Sequence, residues 1–328
     1  MISILTPTYN AARYLPEALD SVLLQDHTDW QLCVVDDGST DDTWRILTDY
    51  ARRDARIQPV RHARNRGILP ALHTAVAQAR GAHITRFDSD DLMVPHKLGA
   101  MYEALRDRGG VATGYIESFA HEGELGGGYT RYTRWINAQL RSGDPYRHIY
   151  KECPIQSSTW MMARETFDCI GGFEVAEYPE DYDLCFRMYA HRLPVAVVPD
   201  VIHRWRDRPE RASRTLSQYA DQTFFEIKVR YFVQLDYDPT RPLCLWGAGR
   251  KGKALARHLL DAGLPVQWYT DNERKVGHLI YGVRLQHYSA LAASVEPYII
   301  GAVSSPAVGE ELMAFCAGHR LPEPHFWV

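Results

Sequence analysis

Early in the chain one unit recurs: a short apolar run, a polar or acidic cluster, then apolar residues at helical spacing. Ile2-Ser3-Ile4-Leu5-Thr6 reads as a buried strand, with Pro7-Thr8-Tyr9-Asn10 as the turn that follows. Leu15, Ala18, Leu19, Val22 and Leu23 then fall on one helical face. Residues 30–35 form the next strand, closed by Asp36-Asp37-Gly38-Ser39-Thr40, and a helix runs through Trp44, Leu47 and Ala51. Further strands are read at 57–60 and 84–87, with a helix over 69–79 between them. This alternation predicts an α/β domain with a mostly parallel sheet and a ligand crevice beyond the strand C-termini. Thr6-Pro7-Thr8, Asp36-Asp37 and Asp88-Ser89-Asp90-Asp91 would then share one rim.

The last cluster carries the most chemistry. Closely spaced carboxylates after a strand suit a hard divalent cation, Mg²⁺ or Mn²⁺, whose open positions go to substrate phosphates. The same residues also read as a capped turn before a helix over 93–104, and Asp37-Gly38-Ser39 also reads as a helix cap. Asn65-Arg66-Gly67 adds a cation and a backbone position able to approach phosphate closely.

Composition narrows the classes. The chain has 328 residues, 45% hydrophobic, with 37 basic and 41 acidic side chains and a net charge of -4. That size allows two domains, and that balance gives no reason to expect a nucleic-acid partner. The six cysteines are scattered without a CxxC pair and read as reduced core thiols. No signal peptide or spanning segment is read, so the expected location is the cytoplasm, with association at the inner face of the membrane left open. Arg131, Arg134 and Trp135 are candidates for such a peripheral contact.

Thr6-Pro7-Thr8-Tyr9-Asn10, Val34-Val35-Asp36-Asp37-Gly38-Ser39, Asn65-Arg66-Gly67 and Phe87-Asp88-Ser89-Asp90-Asp91 resemble the successive signatures of the family 2 glycosyltransferases. The resemblance covers residues 1–235 and implies the GT-A fold and a nucleotide-diphosphate sugar donor. It implies that Thr6, Pro7 and Tyr9 line the nucleoside and that Asp36 or Asp37 accepts a hydrogen bond from the base. Arg66 would lie at the diphosphate or nucleotide, Asp88 near nucleotide or sugar, and Asp90 at the metal, with Asn65, Gly67 and Ser89 among the donor-binding residues. At Leu72-His73 the chain departs from a common Arg-Asn, which puts one phosphate or sugar contact in doubt.

Gly171-Gly172-Phe173, Glu180-Asp181 and Arg187 also resemble the family. Adjacent carboxylates repel, which raises one pKa toward that of a useful base, although the pair also reads as a helix N-terminus. By family position Asp181 is the catalytic base and Glu180 orients the acceptor or its partner carboxylate. His203, after a strand over 195–202, resembles the family histidine near metal or diphosphate; a lone histidine there also reads as structural. Arg204, Trp205 and Arg206 are read as continuing onto a loop over the donor; Arg208, Arg211 and Arg214 read as further phosphate contacts or, equally well, as a solvated helix face. Gln156-Ser157-Ser158 is placed under the donor sugar. The stretch 117–153, with Gly126-Gly127-Gly128 and several aromatic residues, is read as mobile and assigned to acceptor selection.

Residues 236–242 read as a linker to a second unit over 243–328. There a strand, Gly247-Ala248-Gly249-Arg250-Lys251-Gly252, a helix, and a strand ending at Asp271 meet the context of a dinucleotide-binding fingerprint. The unit is too short for a full dinucleotide domain and resembles small Rossmann-like modules on bacterial sugar-modifying enzymes. Gly247, Gly249, Gly252 and Asp271 form a candidate accessory nucleotide site; tight strand-helix packing alone also accounts for the glycines, and is the favoured reading, with dimerisation or docking as the role.

The expected function is inverting, Mn²⁺- or Mg²⁺-dependent transfer of a sugar, from UDP by family frequency, to a hydroxyl of a glycan or lipid-linked glycan in bacterial surface polysaccharide synthesis. A nucleotidyltransferase and a non-catalytic carbohydrate-binding or scaffold protein are the alternatives, and a homodimer is left open.

Overall fold

The computed structural model describes residues 1–120, 123–173, 179–208, 224–303 and 306–327. Arg211 and Arg214 lie outside them. The described residues divide into two compact units, 1–147 with 153–208, and 148–152 with 224–327.

The first unit runs β1 (Ile2–Thr8), α1 (Leu15–Leu23), β2 (Trp30–Asp36), α2 (Thr43–Arg53), β3 (Ile57–Arg61), α3 (Ile68–Gln78) and β4 (His83–Arg86). It continues with β5 (Leu92–Met93), α4 (Lys97–Arg108), β6 (Val111–Ala120), α5 (Gly127–Arg141), β7 (Met161–Ala163), α6 (Arg164–Cys169), α7 (Glu180–Ala190) and β8 (Val195–Asp207). These strands form an eight-stranded sheet in the order β3-β2-β1-β4-β7-β6-β8-β5. Strands β3, β2, β1 and β4 are parallel, whereas β7 pairs antiparallel with both β4 and β6. Two antiparallel steps restore the direction, so β6 and its parallel neighbour β8 end on the same rim as β4.

Burial on both faces explains the nearly unbroken apolar runs of β1 and β2. Leu15, Leu19 and Val22 of α1 and Leu47 of α2 share one core with Ile2, Ile4, Leu32 and Val34, while Ala71, Leu72 and Ala75 of α3 are buried. Each such leucine or isoleucine contributes about 1.5–3 kcal/mol by leaving water.

Three local expectations change. The helix read from Met93 begins at Lys97, because Leu92 and Met93 pair as β5 with Arg204 and His203 of β8. Pro95 biases Val94 toward extended backbone and so favours that strand. The glycine-rich stretch read as mobile starts the 15-residue helix α5, whose Ile136 and Leu140 cluster with Ile116 of β6. Arg204, Trp205 and Arg206 are strand residues of β8, not part of a loop.

The second unit comprises α8 (Phe225–Leu235), β9 (Leu243–Trp246), α9 (Arg250–Asp261), β10 (Val266–Thr270), β11 (Leu279–Ile280), β12 (Val283–His287), β13 (Tyr298–Gly301), α10 (Pro306–Gly318) and β14 (Phe326–Trp327). Helix α8 thus groups here, ahead of the 236–242 linker read from the sequence. Strands β12, β10, β9, β13 and β14 form a parallel sheet in that order. Cys244, Trp246, Ile299 and Leu312 belong to its core.

Candidate active site

The parallel register pairs Thr8 with Asp36 and Asp36 with Arg61, which puts the ends of β1, β2 and β3 side by side. Asp36 is fully buried. Its Oδ1 accepts from the Ser39 amide at 2.9 Å, and its Oδ2 lies 3.1 Å from Arg61 Nε. Asp37 accepts from the amides of Arg66 and Gly67 at 2.9 and 2.7 Å, and its Oδ1 lies 2.6 Å from His62 Nδ1. Both carboxylates are therefore engaged with their own strand ends and the Asn65-Arg66-Gly67 loop. Gly38 permits this closeness: its φ is +72°, and a Cβ there would sit 2.4 Å from the Arg64 carbonyl carbon. Arg66 is exposed. Thr6 and Thr8 are buried, yet their hydroxyl oxygens have no hydrogen-bond partner among the described residues. Tyr9, 47% exposed, directly follows β1 at the same rim.

A second group lies at the end of β4. Asp88 accepts from Arg86 Nε at 2.9 Å and from Ser157 Oγ at 3.1 Å, while its amide donates to Ser158 Oγ at 3.0 Å. Gln156 Oε1 accepts from the Ser158 amide at 2.8 Å. The segment placed under the donor sugar thus buttresses Asp88. Arg86 also donates through Nη1 to Glu180 Oε1 at 2.8 Å. Burial works against the Arg86 charge, but Asp88, Glu180 and Asp181 outweigh it and raise the guanidinium pKa. The other oxygen of Glu180, Oε2, is buried without a partner among the described residues. Asp181 follows on the first turn of α7 and is partly buried. Burial, reinforced by the Glu180 charge and opposed by Arg86, pushes its carboxyl up to about 7.

The third group surrounds the other aspartates. Asp90 is buried, and its Oδ2 accepts from Arg208 Nε at 2.7 Å. His203 sits inside β8, 3.1 Å through Nε2 from Asp91 Oδ2 and 3.5 Å through Nδ1 from Lys97 Nζ. The geometry gives this histidine to Asp91 and Lys97, not to Asp90. Burial lowers the His203 pKa, and Lys97 lowers it further. Lys97 is itself fully buried, which brings its ammonium down to about 7; it donates to the Ser158 carbonyl at 2.5 Å. Arg206 closes the network: its amide donates to Asp91 Oδ1, its Nε to the Asp90 carbonyl, and its Nη2 to Glu17. Together these groups lock the Asp88–Asp91 turn from below.

No three His, Cys, Asp or Glu side chains converge on a point among the described residues. A buried carboxylate on a turn, already drawing a cationic guanidinium, nevertheless fits Mg²⁺ or Mn²⁺, which take one or two carboxylates and complete their shells with water and substrate phosphate.

Helix α7 is fastened to the preceding turn by Arg187. Its Nε donates to buried Asp183 at 2.9 Å, and its Nη1 and Nη2 donate to the carbonyls of Ile170 and Gly172 at 2.5 and 2.6 Å. Gly171 and Gly172 both have positive φ, as that turn requires. His73, at the position that departs from the common motif, hydrogen-bonds through Nε2 to the Phe173 carbonyl and ties α3 to the same turn. Along α5, Tyr129 and Tyr132 pack on Trp205 with centroids 4.4 and 5.5 Å away. Arg86 and Lys97 were not singled out as site residues in the sequence. Arg86 alone left a signal, a charge in an apolar strand run, and burial of such a charge requires partners.

In the second unit Gly247 and Gly252 are needed for packing. A Cβ at Gly247 would meet the Ala302 carbonyl oxygen at 2.3 Å, and one at Gly252 the Gly247 carbonyl oxygen at 2.1 Å. A Cβ at Gly249 would meet nothing within 4 Å. Lys275 Nζ donates to the Ala248 carbonyl at 2.9 Å, and exposed Asp271 follows the neighbouring strand on the same rim.

The family model "Glycosyl transferase family 2" matches residues 3–171 of this chain. The chain belongs to glycosyl transferase family 2. Among its relatives, the "Putative teichuronic acid biosynthesis glycosyltransferase TuaG" of Bacillus subtilis is 38% identical over 108 residues, 33% of this chain and 43% of that protein. The "Putative colanic acid biosynthesis glycosyl transferase WcaA" of Escherichia coli is 29% identical over 210 residues, 62% of this chain and 72% of the relative. The chain spans less than half the length of the first curated relatives it matches. S. aureus TarS 1-349, solved in complex with UDP-GlcNAc, has a TM-score of 0.56 at 19% identity, covering 79% of this chain and 71% of that one. The mannosyltransferase PcManGT from Pyrobaculum calidifontis, solved with GDP-Man and Mn²⁺, has a TM-score of 0.51 at 20% identity, covering 79% and 69%. These likenesses show the fold of the family 2 member, which is GT-A. No helix among the described residues is long and apolar enough to cross a membrane.

Proposed function

We propose that this family 2 member is an inverting, metal-dependent glycosyltransferase. It moves a sugar from a nucleotide diphosphate, UDP by preference, to a hydroxyl of a glycan or lipid-linked glycan. Its setting is bacterial surface polysaccharide synthesis on the cytoplasmic side of the membrane. The carrying observation is geometric: Asp181 stands on the first turn of α7, one residue from Glu180, which Arg86 joins to Asp88, and burial with the Glu180 charge holds its carboxyl above the usual carboxylate range. The names of TuaG and WcaA and the nucleotide sugars bound by TarS and PcManGT support the reading.

The crevice over β1, β2 and β3 takes the nucleoside. Tyr9 and Pro7 cover it, and the unpartnered Thr6 and Thr8 hydroxyls supply hydrogen-bonding groups within it. Asp36 and Asp37 shape the crevice by holding Arg61 and the Arg66–Gly67 backbone. Arg66, Arg208 and the Asp90 carboxylate face the diphosphate, with Asp88 toward the sugar. A divalent cation held by Asp90 would offset charge on the departing nucleotide diphosphate. Asp181 takes the proton of the acceptor hydroxyl as that oxygen attacks the anomeric carbon, in a single displacement that inverts the centre. His203 serves indirectly, through its hold on Asp91.

The experiment follows nucleotide release from UDP- and GDP-sugars by the full chain with Mn²⁺. Wild-type turnover should rise with pH through about 7, because Asp181 must lose its proton to act. Asp181→Asn should lower turnover by about 100-fold or more while UDP affinity measured by calorimetry stays near wild type. Undiminished turnover in that variant would remove Asp181 as the base. We also read the second unit as a Rossmann-like accessory module. Its parallel strand order supports this, and open Gly249 is the position through which its glycine turn would admit a nucleotide phosphate.

A further inference from the structure

We propose that Arg86 is a positioning residue of the transfer reaction: one buried guanidinium locks the donor side of the site, at Asp88, to the acceptor side, at Glu180. The inference rests on the glycosyltransferase reading above and adds a residue to it.

Three observations carry it. Arg86 is only 4% exposed, at the end of a strand whose Ile84 and Thr85 are fully buried. An arginine there is strongly unfavourable unless its charge is paired, so the position is not one that general packing would fill. Its partners lie 2 and 94 residues further along the chain: Nε reaches Asp88 on its own turn, and Nη1 reaches Glu180 on α7. Arg86 is also the observed hold on the Glu180 carboxylate, whose other oxygen has no partner among the described residues. The planar fork of arginine can serve two carboxylates at once in fixed geometry, whereas a lysine presents one point of charge.

The consequence falls on Asp181. Its N-terminal neighbour is pinned by Arg86, so the first turn of α7 is registered against the donor turn. The charges acting on Asp181 are Glu180 beside it, Arg86 on β4 and Asp88 on the donor turn; Asp183 on α7 is paired with Arg187. Removing the cation from this set favours the protonated acid, and removing Glu180 favours the ionised one.

The test is steady-state nucleotide release by the full chain with Mn²⁺ and a UDP- or GDP-sugar that the wild type turns over, with melting temperature recorded for each variant. Arg86→Lys should fold, hold donor KM within about threefold and lose about tenfold or more in kcat. Arg86→Met should move the acidic limb of the kcat profile up by about one pH unit. Glu180→Gln, which leaves the Arg86–Asp88 pair in place, should move it down and keeps the test open if Arg86→Met does not fold. Full kcat in Arg86→Lys, or a limb that stays in place in the folded variants, would overturn the inference while leaving the glycosyltransferase reading intact. A wild type silent toward every nucleotide sugar would overturn both.

Discussion

At the scale of single residues, Arg208 and Asp90 hold each other where the proposed reaction needs a cation. A divalent ion arriving at Asp90 has to displace that guanidinium, which is then available to the diphosphate. Arg208→Gln should therefore bind Mn²⁺ alone more tightly than wild type, by about threefold to tenfold, because a charge-assisted contact of about 1 kcal/mol no longer competes. The same variant should bind UDP less tightly in the presence of Mn²⁺. Both affinities are measurable by calorimetry, and equal Mn²⁺ affinity in the two proteins would refute the competition. Residues of this kind are half-legible in a sequence. The acids of the Asp88–Asp91 turn stand out by spacing, but their division of labour does not. Asp91 and His203 are far apart in the chain and pair only because β5 runs antiparallel to β8.

Among the elements, the glycine turn between β9 and α9 separates two readings of one motif. Gly252 packs directly on the backbone of Gly247, whereas Gly249 faces open space. Gly252→Ala should destabilise the second unit by about 1–3 kcal/mol, the usual range for overpacking. Gly249→Ala should change stability by less than about 0.5 kcal/mol. Denaturant unfolding followed by tryptophan fluorescence compares the two; equal losses would mean that the turn does not have the observed close approach. The first β-α units were legible because burial on both faces imposes long apolar runs and their helices keep a clear spacing. Helix α5 was not: three glycines at its start and scattered aromatic residues conceal a face that becomes apolar only against β6. Strand β7 is three residues long and pairs antiparallel on both sides, a pattern too short to leave a period.

For the whole molecule, the two compact units have separate cores. Differential scanning calorimetry of the full chain should resolve two transitions, and UDP with Mn²⁺ should raise one of them while leaving the other in place, since a ligand stabilises the unit it binds. A single transition shifted as a whole would contradict separate cooperative units. Chain order was enough to establish the α/β class, the rim where strand ends gather and most of the acids that stand there. Those properties follow from local periodicity and from the geometry shared by parallel strands. The partners of those acids were not written in any local stretch. Asp37 is taken up by the loop at Arg66 and Gly67, Glu180 is joined to Asp88 by a buried arginine, and His203 is engaged by Asp91 and Lys97. A buried charge takes whichever opposite charge or dipole the packed strands bring within about 3 Å, and that choice exists only once the sheet has formed.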